Sequence, residues 1–68
     1  MSADAALLKR NVARIRRDIR LQAREMHALI DADLDCTAAA RLLMHMHADL
    51  RLYLEKQEQA NERERLAG

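Results

Sequence analysis

Proline is absent from this 68-residue chain, and its one glycine, Gly68, is the last residue. Folds that turn often need both, because glycine supplies positive φ and proline presets a turn dihedral. Turn-rich β-sandwiches and barrels are therefore excluded, and so are glycine-rich phosphate loops. Valine occurs once, isoleucine three times, tyrosine once, and phenylalanine and tryptophan not at all. Few residues are left that favour a strand. Tyr53 alone cannot form the aromatic platform on which unpaired bases stack. A single cysteine, Cys36, closes no disulfide within the chain. No apolar run reaches the roughly 18–20 residues of a membrane-spanning helix. The segment Met1-Ser2-Ala3-Asp4-Ala5-Ala6-Leu7-Leu8 lacks the basic start and apolar stretch of a secretory signal. A cytoplasmic protein without membrane contact is the expectation. Catalysis has no foothold either: no nucleophile–base pair stands at a workable spacing, and the bulk for a pocket is missing. No enzyme activity, cofactor or metal is expected.

What is present is helix-forming. Ala, Leu, Arg, Glu, Met and Gln dominate, the residues that lose least rotamer freedom in a helix. Leu8, Val12, Ile15, Ile19, Met26 and Leu29 follow an alternating 4-3 spacing that only Gln22 interrupts. Cys36, Ala39, Leu43, Met46, Leu50 and Tyr53 repeat that spacing, which continues weakly through Gln57 and Ala60. This is the seam of a coiled-coil-like bundle. The break falls at Asp31-Ala32-Asp33-Leu34-Asp35, where Asp33 or Asp35 suits the N-cap of a second helix. Ser2 or Asp4 suits the cap of the first. The spacing predicts one domain over 1–68, with helices near 4–30 and 35–64 and a frayed tail at 65–68.

Folding the chain back about the acidic break brings the two seams into register. Leu29 meets Cys36, Met26 meets Ala39, Gln22 meets Leu43, Ile19 meets Met46, Ile15 meets Leu50, and Val12 meets Tyr53. A lone hairpin leaves half of each seam in water, and Ala23, Ile30, Leu42 and Leu54 widen the apolar stripe further. The fold expected is all-α: an antiparallel two-helix hairpin dimerising into a four-helix bundle. A homodimer is the economical way to cover the stripe, and a different protein chain is the alternative.

Net charge is +1, but unevenly shared. Residues 1–26 hold seven basic and three acidic side chains, a sum of +4; residues 27–68 hold five and eight, a sum of −3. Arg10, Arg17 and Arg24 recur at one heptad position, with Arg14 and Arg20 beside them and Lys9 and Arg16 at the flank. Such a stripe matches the phosphates of RNA or DNA, and arginine binds phosphate through two parallel hydrogen bonds. Alternatively it is a solvated face paired with Asp49, Glu55 and Glu58 of the second helix.

Met44-His45-Met46-His47 brings together thioether and imidazole groups that bind copper. Residues two apart point about 200° away from each other on a helix, so core methionine with surface histidines is the simpler account, His45 facing Asp49. Cys36 reads as a small seam residue and Tyr53 as packing against Val12. A seam glutamine such as Gln22 sets register or partner choice, or else reaches solvent. Met44, Leu52 and Leu21 fall off the seam, and Leu54 flanks it. Several exposed apolar residues on one hairpin point to a further binding surface, as in an adaptor or chaperone.

Asn11-Val12-Ala13-Arg14, the turn Asp31-Ala32-Asp33, and His45-Met46-His47-Ala48-Asp49 together resemble the Rop family of plasmid copy-number regulators. Those are small helical hairpins that dimerise into a four-helix bundle and bind paired RNA loops. The chain departs from that pattern at Met46, in a longer loop, and at Asp18 and Glu25. The resemblance implies RNA contact through Arg10, Arg14, Arg17, Arg20 and Arg24. The residues themselves favour a dimeric interaction protein. Its interface would be Leu8, Val12, Ile15, Ile19, Met26, Leu29, Leu43, Met46, Leu50 and Tyr53, and its partner surface Met44, Leu52 and Leu54. A protein partner is expected first and RNA second.

Overall fold

The computed structural model describes residues 3–68. Helix α1 spans Ala3–Asp31 and helix α2 spans Thr37–Ala67, and together they form a hairpin with no strand among the described residues. The hairpin is a rod of 55 × 15 × 12 Å. Its radius of gyration, 15.9 Å, well exceeds the roughly 11 Å of a compact domain of this length.

The reversal is built by hydrogen bonds that end α1. Leu34 N–H donates to the Leu29 carbonyl at 2.8 Å and Asp33 N–H to the Ile30 carbonyl at 3.0 Å. Asp33 takes a φ of 58°. These two bonds around a left-handed residue make a Schellman motif, which satisfies carbonyls that a helix end otherwise leaves open. Asp33 is thus a turn residue and not a cap. Because the motif consumes the residues after Asp31, α2 starts at Thr37 and not near 35. Cys36 occupies the N-cap position without a side-chain capping bond. Asp35 caps from one residue earlier: its Oδ1 accepts the Thr37 N–H at 2.9 Å and the Thr37 hydroxyl at 2.6 Å. Those two bonds, the hydroxyl first, hold the Asp35 carboxyl below the ordinary carboxylate range.

At the other ends, Asp4 lies in the first turn of α1, where a negative charge complements the helix dipole. Ser2 lies outside the described residues. Helix α2 runs to Ala67, beyond the expected end at 64. Its last turns consist of good helix formers, Arg65 pairs with Glu62, and the Gly68 N–H donates to the Glu64 carbonyl at 3.0 Å.

Among the described residues, only Val12, Ile15 and Ala39 are buried, at 5%, 8% and 8% exposure. Every other seam residue, from Leu8 to Leu29 and from Cys36 to Ala60, is half-buried. The seams therefore face each other as their spacing demands, yet two helices alone cannot enclose them. Gln22 reaches across the hairpin: its Nε2 donates to the Ala39 carbonyl at 3.5 Å, one turn nearer the loop than the Leu43 position expected opposite it. No described helix is long and apolar enough to cross a membrane.

Candidate interaction surfaces

Two surfaces stand out, a basic ridge and an apolar groove. The ridge is the outer side of α1. Arg10, Arg17 and Arg24 recur every second turn, and at about 1.5 Å per residue they span about 21 Å. These three, with Arg14, Arg16 and Arg20, are all exposed. None makes an ion pair with Asp49, Glu55, Glu58 or any other described carboxylate. The ion pairs with α2 expected as the alternative do not form among the described residues. Six exposed guanidinium groups on one helix, none in an ion pair with a described carboxylate, keep their attraction for a phosphate backbone.

The groove runs along one side of the hairpin between the helices. Two concavities of about 290 Å³ each meet at Leu42. Towards the open end, Ile15, Met46 and Tyr53 form the floor, with Arg14, Asp18 and Asp49 at the rim. Towards the loop, Leu29, Ala38 and Ala39 continue the floor beside Gln22, with Glu25 and Asp35 at the rim. Lys56 Nζ sits 5.5 Å from the centre of the Tyr53 ring, a cation–π contact that fixes the ring at the groove mouth. Asp18, Glu25 and Asp49 have no ion-pair partner among the described residues.

Sequence reasoning took Asp18 and Glu25 as departures from an RNA-facing pattern and did not join them to Leu42 and Asp49. The signal was available. Asp18 and Glu25 are seven apart, and so are Asp35, Leu42 and Asp49. Each set lies on the flank of its own seam, and antiparallel pairing brings the two flanks to the same side.

The opposite side differs. A turn of about 100° per residue places Ala23 and Ile30 of α1, and Ala40 and Leu54 of α2, on the other flank of the seams. Ala23, Ala40 and Leu54 are half-buried and Ile30 is exposed. Met44 and Leu52 are 72% and 56% exposed, but they do not form one patch with Leu54. Leu52 and Leu54 project about 200° apart, so Leu54 belongs to the seam flank and Leu52 to the outer face.

His45 and His47 are both exposed and sit on different faces of α2. His45 forms no ion pair with Asp49. No group of three or more His, Cys, Asp or Glu among the described residues is placed to hold a metal. Cys36 carries a free, half-buried thiol at the loop end. A further concavity of about 540 Å³ is lined by Glu55, Glu58, Gln59, Glu62 and Arg63. All five belong to α2 and none supplies an apolar floor.

The chain matches no protein-family model, no curated protein and no solved structure.

Proposed function

We propose that this chain is a non-catalytic interaction protein that pairs with a second copy of itself into a four-helix bundle and presents the outside of that bundle to another macromolecule, a protein first. The observation that carries the reading is area. The hairpin exposes 5581 Å², against about 4,400 Å² for a compact monomer of its mass. The excess, about 1,200 Å², is more than the roughly 800 Å² that each partner contributes to a standard stable interface. The flank bearing Ala23, Ile30, Ala40 and Leu54 suits a second copy best. It carries no carboxylate, its two alanines allow helices to approach closely, and Arg16 and His47 fall on it at the same seven-residue spacing. Met44 and Leu52 stay outside this pairing and are available to a protein partner.

Light scattering on a sizing column tests the pairing. A mass twice the 7.8 kDa of the chain is expected at micromolar concentration. Monomer mass under those conditions removes the reading.

A second reading has its own observation. The unpaired arginines of α1 form a ridge suited to structured RNA, in keeping with the resemblance to Rop-like regulators. Phosphate binding falls steeply with salt because counterion release drives it, whereas an apolar protein interface is far less sensitive.

A further inference from the structure

We infer that the groove centred on Leu42 is a docking site for a basic amphipathic helix of a partner protein: an apolar stripe on the groove floor, with lysine or arginine on both edges. The inference deepens the interaction-protein reading above and takes the opposite flank as the one covered by the second copy.

The occupant follows from shape and charge. The floor is mostly apolar, from Leu29 and Ala38 beside Gln22, through Leu42, to Ile15 and Tyr53. Between Arg14 and Leu29 it extends about 22 Å at about 1.5 Å per residue, the length of a helix of about four turns. A helix laid in a groove between two others anchors residues at i, i+3 or i+4 and i+7. Leu42, 45% exposed, is the central contact, since it belongs to both concavities.

The rim decides the sign of the partner. Asp18, Glu25, Asp35 and Asp49 stand along it against two cations, Arg14 and, over the Tyr53 ring, Lys56. A second copy laid face to face on this groove would bring two net-negative rims together across a desolvated seam, which is repulsive. The same surface on nucleic acid would set carboxylates against phosphates. Lysine or arginine flanking an apolar stripe satisfies the floor and the rim together, and Asp18, Glu25 and Asp49 need not break an internal ion pair to meet them.

The test uses the full chain and labelled synthetic peptides, read by fluorescence anisotropy at physiological ionic strength. One 18-residue helix carries a leucine–alanine stripe flanked by lysine. Its twin carries glutamate in place of lysine, and a scrambled basic peptide keeps the charge without the stripe. The basic amphipathic peptide is expected to bind at least tenfold tighter than either control. Leu42→Lys should cost at least tenfold while helicity and oligomer mass hold. Asp18→Lys combined with Asp49→Lys should reverse the preference towards the glutamate twin. Should Leu42→Lys reduce helicity, Asp18→Asn with Asp49→Asn, which preserves side-chain shape, must still cost several-fold and flatten the salt dependence. Equal binding of the three peptides, no binding, or a preference untouched by both aspartate variants overturns the inference. Leu42→Lys that stays helical but halves the oligomer mass overturns it in favour of a second copy in the groove. A monomeric chain that still discriminates among the peptides rejects only the proposed pairing. A dimeric chain that does not discriminate rejects only the groove.

Discussion

The carboxylate of Asp35 accepts two hydrogen bonds from one residue, the N–H and the hydroxyl of Thr37, at 2.9 and 2.6 Å. Together they pin the first turn of α2, whose N-cap residue Cys36 makes no capping bond of its own. Both bonds favour the ionised carboxylate, so its folded pKa lies below the unfolded one. The stabilisation is therefore complete above the unfolded carboxylate pKa and is lost as pH falls through the folded value. A thermal melt followed by helicity is expected to hold steady at neutral pH and to shift downwards on acidification below the carboxylate range. Asp35→Ala should lower the neutral-pH melting temperature by a few degrees and remove this part of the acid sensitivity. Asp35→Asn should retain more of the stability, because an amide oxygen still accepts.

Asp33 makes the opposite prediction. It holds a φ of 58°, a conformation that costs a side-chain-bearing residue energy and glycine almost none. Asp33→Gly should stabilise the hairpin by about 0.5–1 kcal/mol. Asp33→Val should destabilise it by about 1 kcal/mol or more, since β-branching is poorly tolerated there. Urea unfolding at fixed chain concentration measures both. Equal midpoints for the two variants would mean that the left-handed turn does not persist in solution.

The hairpin was legible in the sequence because the heptad spacing of Leu8 to Leu29 and Cys36 to Tyr53 states which side of each helix is apolar, and antiparallel return of a short loop does the rest. Every seam residue is buried or half-buried accordingly. Loop details were less legible. Asp33 and Asp35 both suit a cap, and only the hydrogen bonds distinguish Asp33 in the turn from Asp35 at the cap. The groove was missed for another reason. Asp18 and Leu42 are remote in sequence, and joining them requires the phase of each helix together with the way one seam is laid on the other. The missing ion pairs of the arginine ridge likewise depend on side-chain placement that helical spacing alone does not state.

Burial ranks the core positions. Val12 and Ile15 are two of the three buried residues among those described, so truncating them removes packing that nothing nearby can restore. Ile15→Ala should cost about 3 kcal/mol and Val12→Ala about 2 kcal/mol. Leu52→Ala, at a residue 56% exposed, should stay within about 0.5 kcal/mol. Denaturant unfolding at several chain concentrations separates these losses from changes in association.

Pairing through the flank of Ala23 and Ala40 makes those small residues the sensitive ones. Ala40→Glu lengthens the side chain and places a charge where a second hairpin would close, yet leaves the half-buried seam residues of its own chain in place. Its expected effect is monomer mass with residual helicity, accompanied by a lower melting temperature that no longer rises with chain concentration. Leu42→Lys, on the acidic groove, should leave the mass at dimer. The opposite pattern, monomer from Leu42→Lys and dimer from Ala40→Glu, would exchange the two flanks.

The arginine ridge is tested by salt. For a structured RNA stem-loop, the logarithm of the binding constant falls linearly with the logarithm of salt concentration, by about 0.9 for each phosphate neutralised on a duplex. Arg17 and Arg24 sit two turns apart on the ridge, so replacing both by alanine should lower that slope by about 2 and weaken binding at low salt. The lysine pair should keep the slope and lose part of the affinity, because an ammonium replaces the charge but not the paired hydrogen bonds of a guanidinium. Neither change touches a seam residue, so oligomer mass should be unaltered. A slope unchanged by the alanine pair would place any RNA contact elsewhere on the chain. Absence of salt-dependent binding in the parent protein would leave the ridge a solubilising face.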